Sequence, residues 1–116
     1  MQIAHILTKD RILCHVQANS KKRVLEYFSK LLATEDNSLS SREIYDGLLV
    51  RERLGSTGIG RGVAIPHARI KCNKTLGAFL QITQGVDYDA IDHQPVDLFF
   101  ALVVPEAHTD EHLRIL

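Results

Sequence analysis

Apolar residues recur along this chain with two different periods. Val24, Tyr27, Phe28, Leu31 and Leu32 fall three and four apart, with Lys21, Lys22 and Lys30 mostly on the other side. That spacing predicts an amphipathic helix, and Ser20 ahead of it is a fitting N-cap. Asp36-Asn37-Ser38 breaks it. Ser40 and Glu43 stand at capping-box spacing and open a second helix. Ile44, Leu48 and Leu54 give that helix its stripe, and Gly55 is its natural stop.

Elsewhere the period is two, or the apolar run is continuous. Ile12 to Val16 is short and mostly apolar and reads as a first strand. Val63 to Ile65 is a second short strand, and Leu76 to Ile82 alternates as a third. Val96 to Val104 is apolar apart from Asp97 and is stopped by Pro105, which suits a central strand covered on both faces. Asp87 to Gln94 reads as a turn-rich connection. There Asp89 and Asp92 are expected to make local hydrogen bonds, not to act as paired carboxylates. Thr109 or Asp110 caps a last helix holding His112, Leu113 and Leu116. The apolar pattern is still running at Leu116, which points to a further C-terminal helical segment. Residues 1–116 therefore read as a single α/β domain with a mixed sheet.

Composition narrows the class. The chain has 116 residues, 45% of them hydrophobic and 24% charged. That is ordinary for a globular domain with a real core. Fourteen basic residues balance fourteen acidic ones, so nothing points to nucleic acid as a partner. No apolar run approaches the roughly 20 residues that cross a bilayer, so membrane insertion is not expected. The N-terminus has no basic segment leading into an apolar one, and Cys14 and Cys72 stand alone. Both features lead to the expectation of a cytoplasmic protein with reduced thiols.

The densest chemical signal is Gly55-Ser56-Thr57-Gly58-Ile59-Gly60-Arg61-Gly62-Val63-Ala64-Ile65-Pro66-His67. Glycine-rich backbone can turn its amides toward an anion, and imidazole is a good nucleophile at neutral pH. A nucleotide loop does not fit. Arg61-Gly62 stands where Lys-Ser/Thr is required, and a helix, not a strand, precedes the glycines. A phosphoryl acceptor at a strand end fits better. Pro66 fixes the backbone just before His67, one ring nitrogen is free to attack, and the other keeps its proton through a hydrogen bond to a carbonyl. Ser56, Thr57 and the loop amides at Gly58 and Gly60 are expected to receive the phosphoryl oxygens, and the transfer calls for no metal or cofactor. His5, His15, His93 and His108 share no ligand spacing and read as structural or surface residues. Nothing supports a zinc site at His67, Cys72 and His112.

This segment resembles the active-site signature of the IIA components of the bacterial phosphoenolpyruvate-dependent sugar phosphotransferase system, in the fructose/mannitol class. Asp89-Ala-Ile-Asp-His-Gln-Pro-Val-Asp-Leu-Phe-Phe-Ala-Leu-Val-Val-Pro105 is similar to the nitrogen-regulatory branch. The resemblance implies a mixed parallel/antiparallel sheet flanked by helices on both sides. It implies phosphorylation of His67 at Nε2 by the phosphohistidine of an HPr- or NPr-type carrier. His112 matches the position of a second site histidine, and Arg51 that of a site arginine at the end of the preceding helix. The chain stops short of the usual family length. A free-standing regulatory IIA acting on protein targets is expected. The alternatives are a sugar-specific IIA serving a separate IIB protein and a binding module that carries no phosphate.

Overall fold

The computed structural model describes residues 5–34 and 39–106. A 3-10 turn at Lys9–Arg11 leads into β1 (Ile12–Val16). Two helices follow, α1 (Lys21–Ala33) and α2 (Ser41–Arg53). Five strands complete the described chain: β2 (Gly58–Gly60), β3 (Val63–Ala64), β4 (His67–Ile70), β5 (Leu76–Val86) and β6 (Val96–Pro105).

The helices begin where their caps predict. Ser20 Oγ accepts from the Arg23 amide at 3.2 Å, and Ser40 Oγ accepts from the Glu43 amide at 3.0 Å. Each bond satisfies one of the amides that a helix start leaves without a partner. Val24, Leu25, Phe28 and Leu32 of α1 meet Ile44 and Leu48 of α2 in the core. Two members of the expected stripes fall outside it. Tyr27 is exposed, and Leu25 takes the buried place beside Val24. Leu54 is the C-cap of α2 and is 81% exposed, because the helix has ended before that position could turn inward. The Asp36-Asn37-Ser38 break lies outside the described residues.

All six strands form one sheet, in the order β1-β5-β6-β3-β2, with β4 also on β6. β1 runs parallel to β5, β5 antiparallel to β6, and β3 and β4 both parallel to β6. The mixed sheet is the one expected, and the long apolar run is its centre. β6 is paired on both sides, so its backbone polar groups are met by neighbours and its side chains can be apolar on both faces. Leu80 opposite Phe99 and Ala78 opposite Ala101 face the two helices. Both described helices thus share one core and one face of the sheet. The expected last helix, with His112, lies outside the described residues.

β3 and β4 lie in sequence along the same side of β6. Val63 pairs with Leu98, and His67 with Leu102. Between them the Pro66 carbonyl accepts from the Leu102 amide at 3.0 Å, while its ring nitrogen has no hydrogen to give. The expected strand Val63–Ile65 therefore ends one residue early. It resumes at His67, which opens a strand and does not follow the end of one.

Candidate active site at His67

The loop before His67 is a built frame. At the end of α2 the Gly55 amide bonds the Glu52 carbonyl, and Arg51 Nη1 donates to the Gly55 carbonyl at 2.7 Å. Glu52 is buried, and its carboxylate accepts from the Thr57 amide at 3.0 and 3.2 Å and from the Thr57 hydroxyl. Ser56 Oγ donates to the Tyr88 carbonyl at 2.8 Å and accepts from the Gly58 amide at 3.0 Å. Gly58 leaves no room for a side chain, since a Cβ there would stand 2.8 Å from that of Ala90. Beyond it, β2 and β3 form a hairpin through Arg61 and Gly62, with φ of 58° and 80°. Positive φ at both central residues matches the sheet's twist, and Asp92 Oδ2 pins the turn by accepting from the Arg61 amide at 2.9 Å.

These bonds give the loop residues a structural role beside the expected one. The hydroxyls of Ser56 and Thr57 and the amides of Thr57, Gly58 and Arg61 already have partners within the frame. They shape the loop around His67. Gly60, buried with φ of 99°, serves the hairpin in the same way.

His67 is half-buried at the start of β4. Its Nδ1 lies 2.9 Å from the Ile65 carbonyl, an acceptor only, so Nδ1 carries the proton and Nε2 presents its lone pair. Burial, the largest cause, lowers the ring's pKa from its ordinary 6.5; Arg51 and Arg69 lower it too, while the Ile65 carbonyl and Glu52 oppose them. The ring is therefore a neutral nucleophile at neutral pH. The folded chain holds fewer protons at His67 than the unfolded chain does. This contribution to stability is thus complete above pH 6.5 and is lost as pH falls toward the folded value. An NMR titration of the ring is expected to give a midpoint below 6.5. A midpoint at or above the ordinary value would contradict the described surroundings.

Of the residues singled out in the sequence, the structure brings Arg51 and His67 together electrostatically. His112 lies outside the described residues. Two further charged residues act on the His67 ring electrostatically. Arg69 stands two residues beyond His67 on the same side of β4, while Ala68 and Ile70 turn into the core. The period of two, applied past His67, marks it. Glu52 sits between Arg51 and Arg53 at the mixed-charge end of α2, and its burial there depends on partners elsewhere in the chain. Leu54, Ile59 and Ile91 give the loop and the neighbouring connection exposed apolar side chains. Among the described residues there is no metal-holding cluster of His, Cys, Asp and Glu, and no helix long and apolar enough to cross a membrane.

Comparison with known proteins bears on this site. Residues 5–116 match the family described as phosphoenolpyruvate-dependent sugar phosphotransferase system, EIIA 2. A nitrogen regulatory protein of Pseudomonas aeruginosa is 47% identical over 117 residues, spanning 100% of this chain and 76% of that protein. One of Escherichia coli is 42% identical over 118 residues, spanning 100% of this chain and 72% of its own length. The crystal structure of nitrogen regulatory protein IIA-Ntr from Neisseria meningitidis superimposes with a TM-score of 0.94 at 44% identity. That match covers 97% of this chain and 77% of that one.

Proposed function

Because this chain belongs to the EIIA 2 family of the phosphoenolpyruvate-dependent sugar phosphotransferase system, we propose that it is a regulatory phosphoryl carrier whose acceptor is Nε2 of His67. IIA proteins of this system take a phosphoryl group from a phosphocarrier protein and pass it on. The observation that carries the reading is the bond from His67 Nδ1 to the Ile65 carbonyl. It leaves Nε2 as the unprotonated nitrogen and so supports Nε2 as the attacking atom.

In the proposed step the Nε2 lone pair forms a bond to phosphorus. The N–P bond of the carrier's phosphohistidine breaks, and its electron pair returns to the carrier's ring. Nδ1 keeps its proton, hydrogen-bonded to the Ile65 carbonyl. Arg51 and Arg69 neutralise the incoming oxygens, for which Arg51 exchanges its bond to the Gly55 carbonyl. His112 is assigned a supporting hydrogen bond on its sequence match alone. Leu54, Ile59 and Ile91 offer the carrier an apolar surface around the loop. A regulatory role in nitrogen metabolism is supported by the names of the relatives, with unidentified target proteins that distinguish the two phosphorylation states.

Incubation with phosphoenolpyruvate, the first enzyme and an HPr- or NPr-type carrier is expected to add one acid-labile phosphoryl group per chain. Absence of label, or label stable to acid, overturns the reading. Efficient, saturable transfer onward to a fructose- or mannitol-type IIB protein would favour a sugar role over a regulatory one.

A further inference from the structure

Below the loop lies a charged network that the proposed transfer step leaves unused. The Glu52 side chain is only 3% exposed, and Lys21 Nζ lies 3.2 Å from its Oε2. The same ammonium reaches Asp89 Oδ2 at 3.1 Å and stands 4.7 Å from the centre of the Tyr88 ring. Tyr88 is buried edge-on against Phe99, with its hydroxyl 3.4 Å from Thr57 Oγ1. Burial, its largest cause, pushes the Tyr88 phenol well above its usual range, so it stays neutral. One carboxylate thus joins α1, α2, the glycine loop and the connection after β5.

Burying a carboxylate is costly unless it is paired and hydrogen-bonded, and here Lys21 and Thr57 supply both. A neutral amide could accept the same bonds from Thr57, so the loop's shape alone does not call for a charge. The charge has a use at the neighbouring histidine. As Nε2 bonds phosphorus while Nδ1 keeps its proton, the His67 ring becomes cationic. Around it stand Arg51 and Glu52 from α2 and Arg69 from β4; Lys21 from α1 and Asp89 bear on Glu52. Glu52 is linked to the ring through the loop: it holds Thr57, whose carbonyl accepts from the Ile65 amide at 3.0 Å, and the Ile65 carbonyl holds Nδ1 of His67. Its negative charge favours a cationic ring. The two arginines suit the phosphoryl oxygens, and the carboxylate suits the ring.

We propose that Glu52 is a positioning residue for phosphoryl transfer, holding the loop through Thr57 and stabilising the cationic His67 ring, with Lys21 setting the strength of its field. This rests on His67 being the acceptor. Without the Glu52 charge the ring is a poorer base and accommodates positive charge less well, so the chemical step slows. Lys21 acts in the opposite sense, because it screens Glu52 from the ring.

The test compares Glu52→Gln and Lys21→Met with the parent chain, reading transfer from the phosphorylated carrier and the NMR titration of the His67 ring. For Glu52→Gln, kcat is expected to fall about tenfold or more, the order typical of groups that orient a reactive ligand from behind. KM should change little, and the ring's midpoint should fall. For Lys21→Met the midpoint should rise. Mere loosening of the loop would shift both midpoints the same way. Shifts of the same sign, or parental kcat in Glu52→Gln, overturn the proposal. Should Glu52→Gln fail to fold, Lys21→Met decides alone, since the Lys21 side chain is 22% exposed and the Glu52 carboxylate keeps its hydrogen bonds from Thr57. There, an unchanged or lowered midpoint overturns it. A parent chain that takes no label overturns the acceptor reading itself, whereas a labelled parent with unaffected variants overturns only the role of Glu52.

Discussion

His67→Ala is expected to take up no phosphoryl group from the carrier while remaining folded. The loss should be complete, because the step needs an unprotonated ring nitrogen held at one place and alanine has none. His15 and His93 are exposed elsewhere, on β1 and on the connection before β6. Stability should change by only about 1 kcal/mol, the worth of one partly exposed hydrogen bond to the Ile65 carbonyl. Mass spectrometry of samples kept alkaline, with a denaturation curve on the same preparation, measures both. Label persisting in a folded His67→Ala chain contradicts the assignment of the site.

The second large effect lies in the core. Phe99→Ala is expected to destabilise the domain by about 3–5 kcal/mol, the range for a deleted buried aromatic ring. Phe99 is fully buried at the middle of β6. Its ring meets Tyr88 at 5.2 Å and Phe28 at 6.4 Å between centres, both edge-on. Since domains of this size are stable by only roughly 5–15 kcal/mol, the loss is a large share of the whole. It also reaches the site, because Tyr88 backs the loop through Ser56, Thr57 and Lys21. Phe100→Ala, one residue on and facing the other side, should cost clearly less, since that ring is half-buried. Urea denaturation of the two variants tests this; equal losses would contradict the described register of β6.

The contrast between neighbouring phenylalanines shows where the sequence was informative. Helix starts were legible because Ser20 and Ser40 act within their own turn. The central place of β6 was legible because only a strand paired on both sides tolerates such an unbroken apolar run. The hydrogen-bond economy of the glycine loop was not. Ser56, Thr57 and the loop amides look available in sequence, but their partners, Glu52, Tyr88 and Asp92, come from other segments. The same distance hid Glu52, whose role depends on Lys21, 31 positions earlier. Arg69 could have been found, since a strand running on past Pro66 puts positions 67 and 69 on one side.

The loop's internal bonds make it a mount for one imidazole. Pro66 and the β6 pairing hold the backbone, the Ile65 carbonyl orients the ring, and Arg51 and Arg69 supply positive charge. The most direct measurement is the nitrogen NMR spectrum of uniformly labelled protein, phosphorylated through the carrier and kept alkaline. Phosphorus coupling at Nε2 of His67, with Nδ1 still protonated, is the expected result. Coupling at Nδ1, or an unchanged His67 ring in protein that carries label, would contradict it.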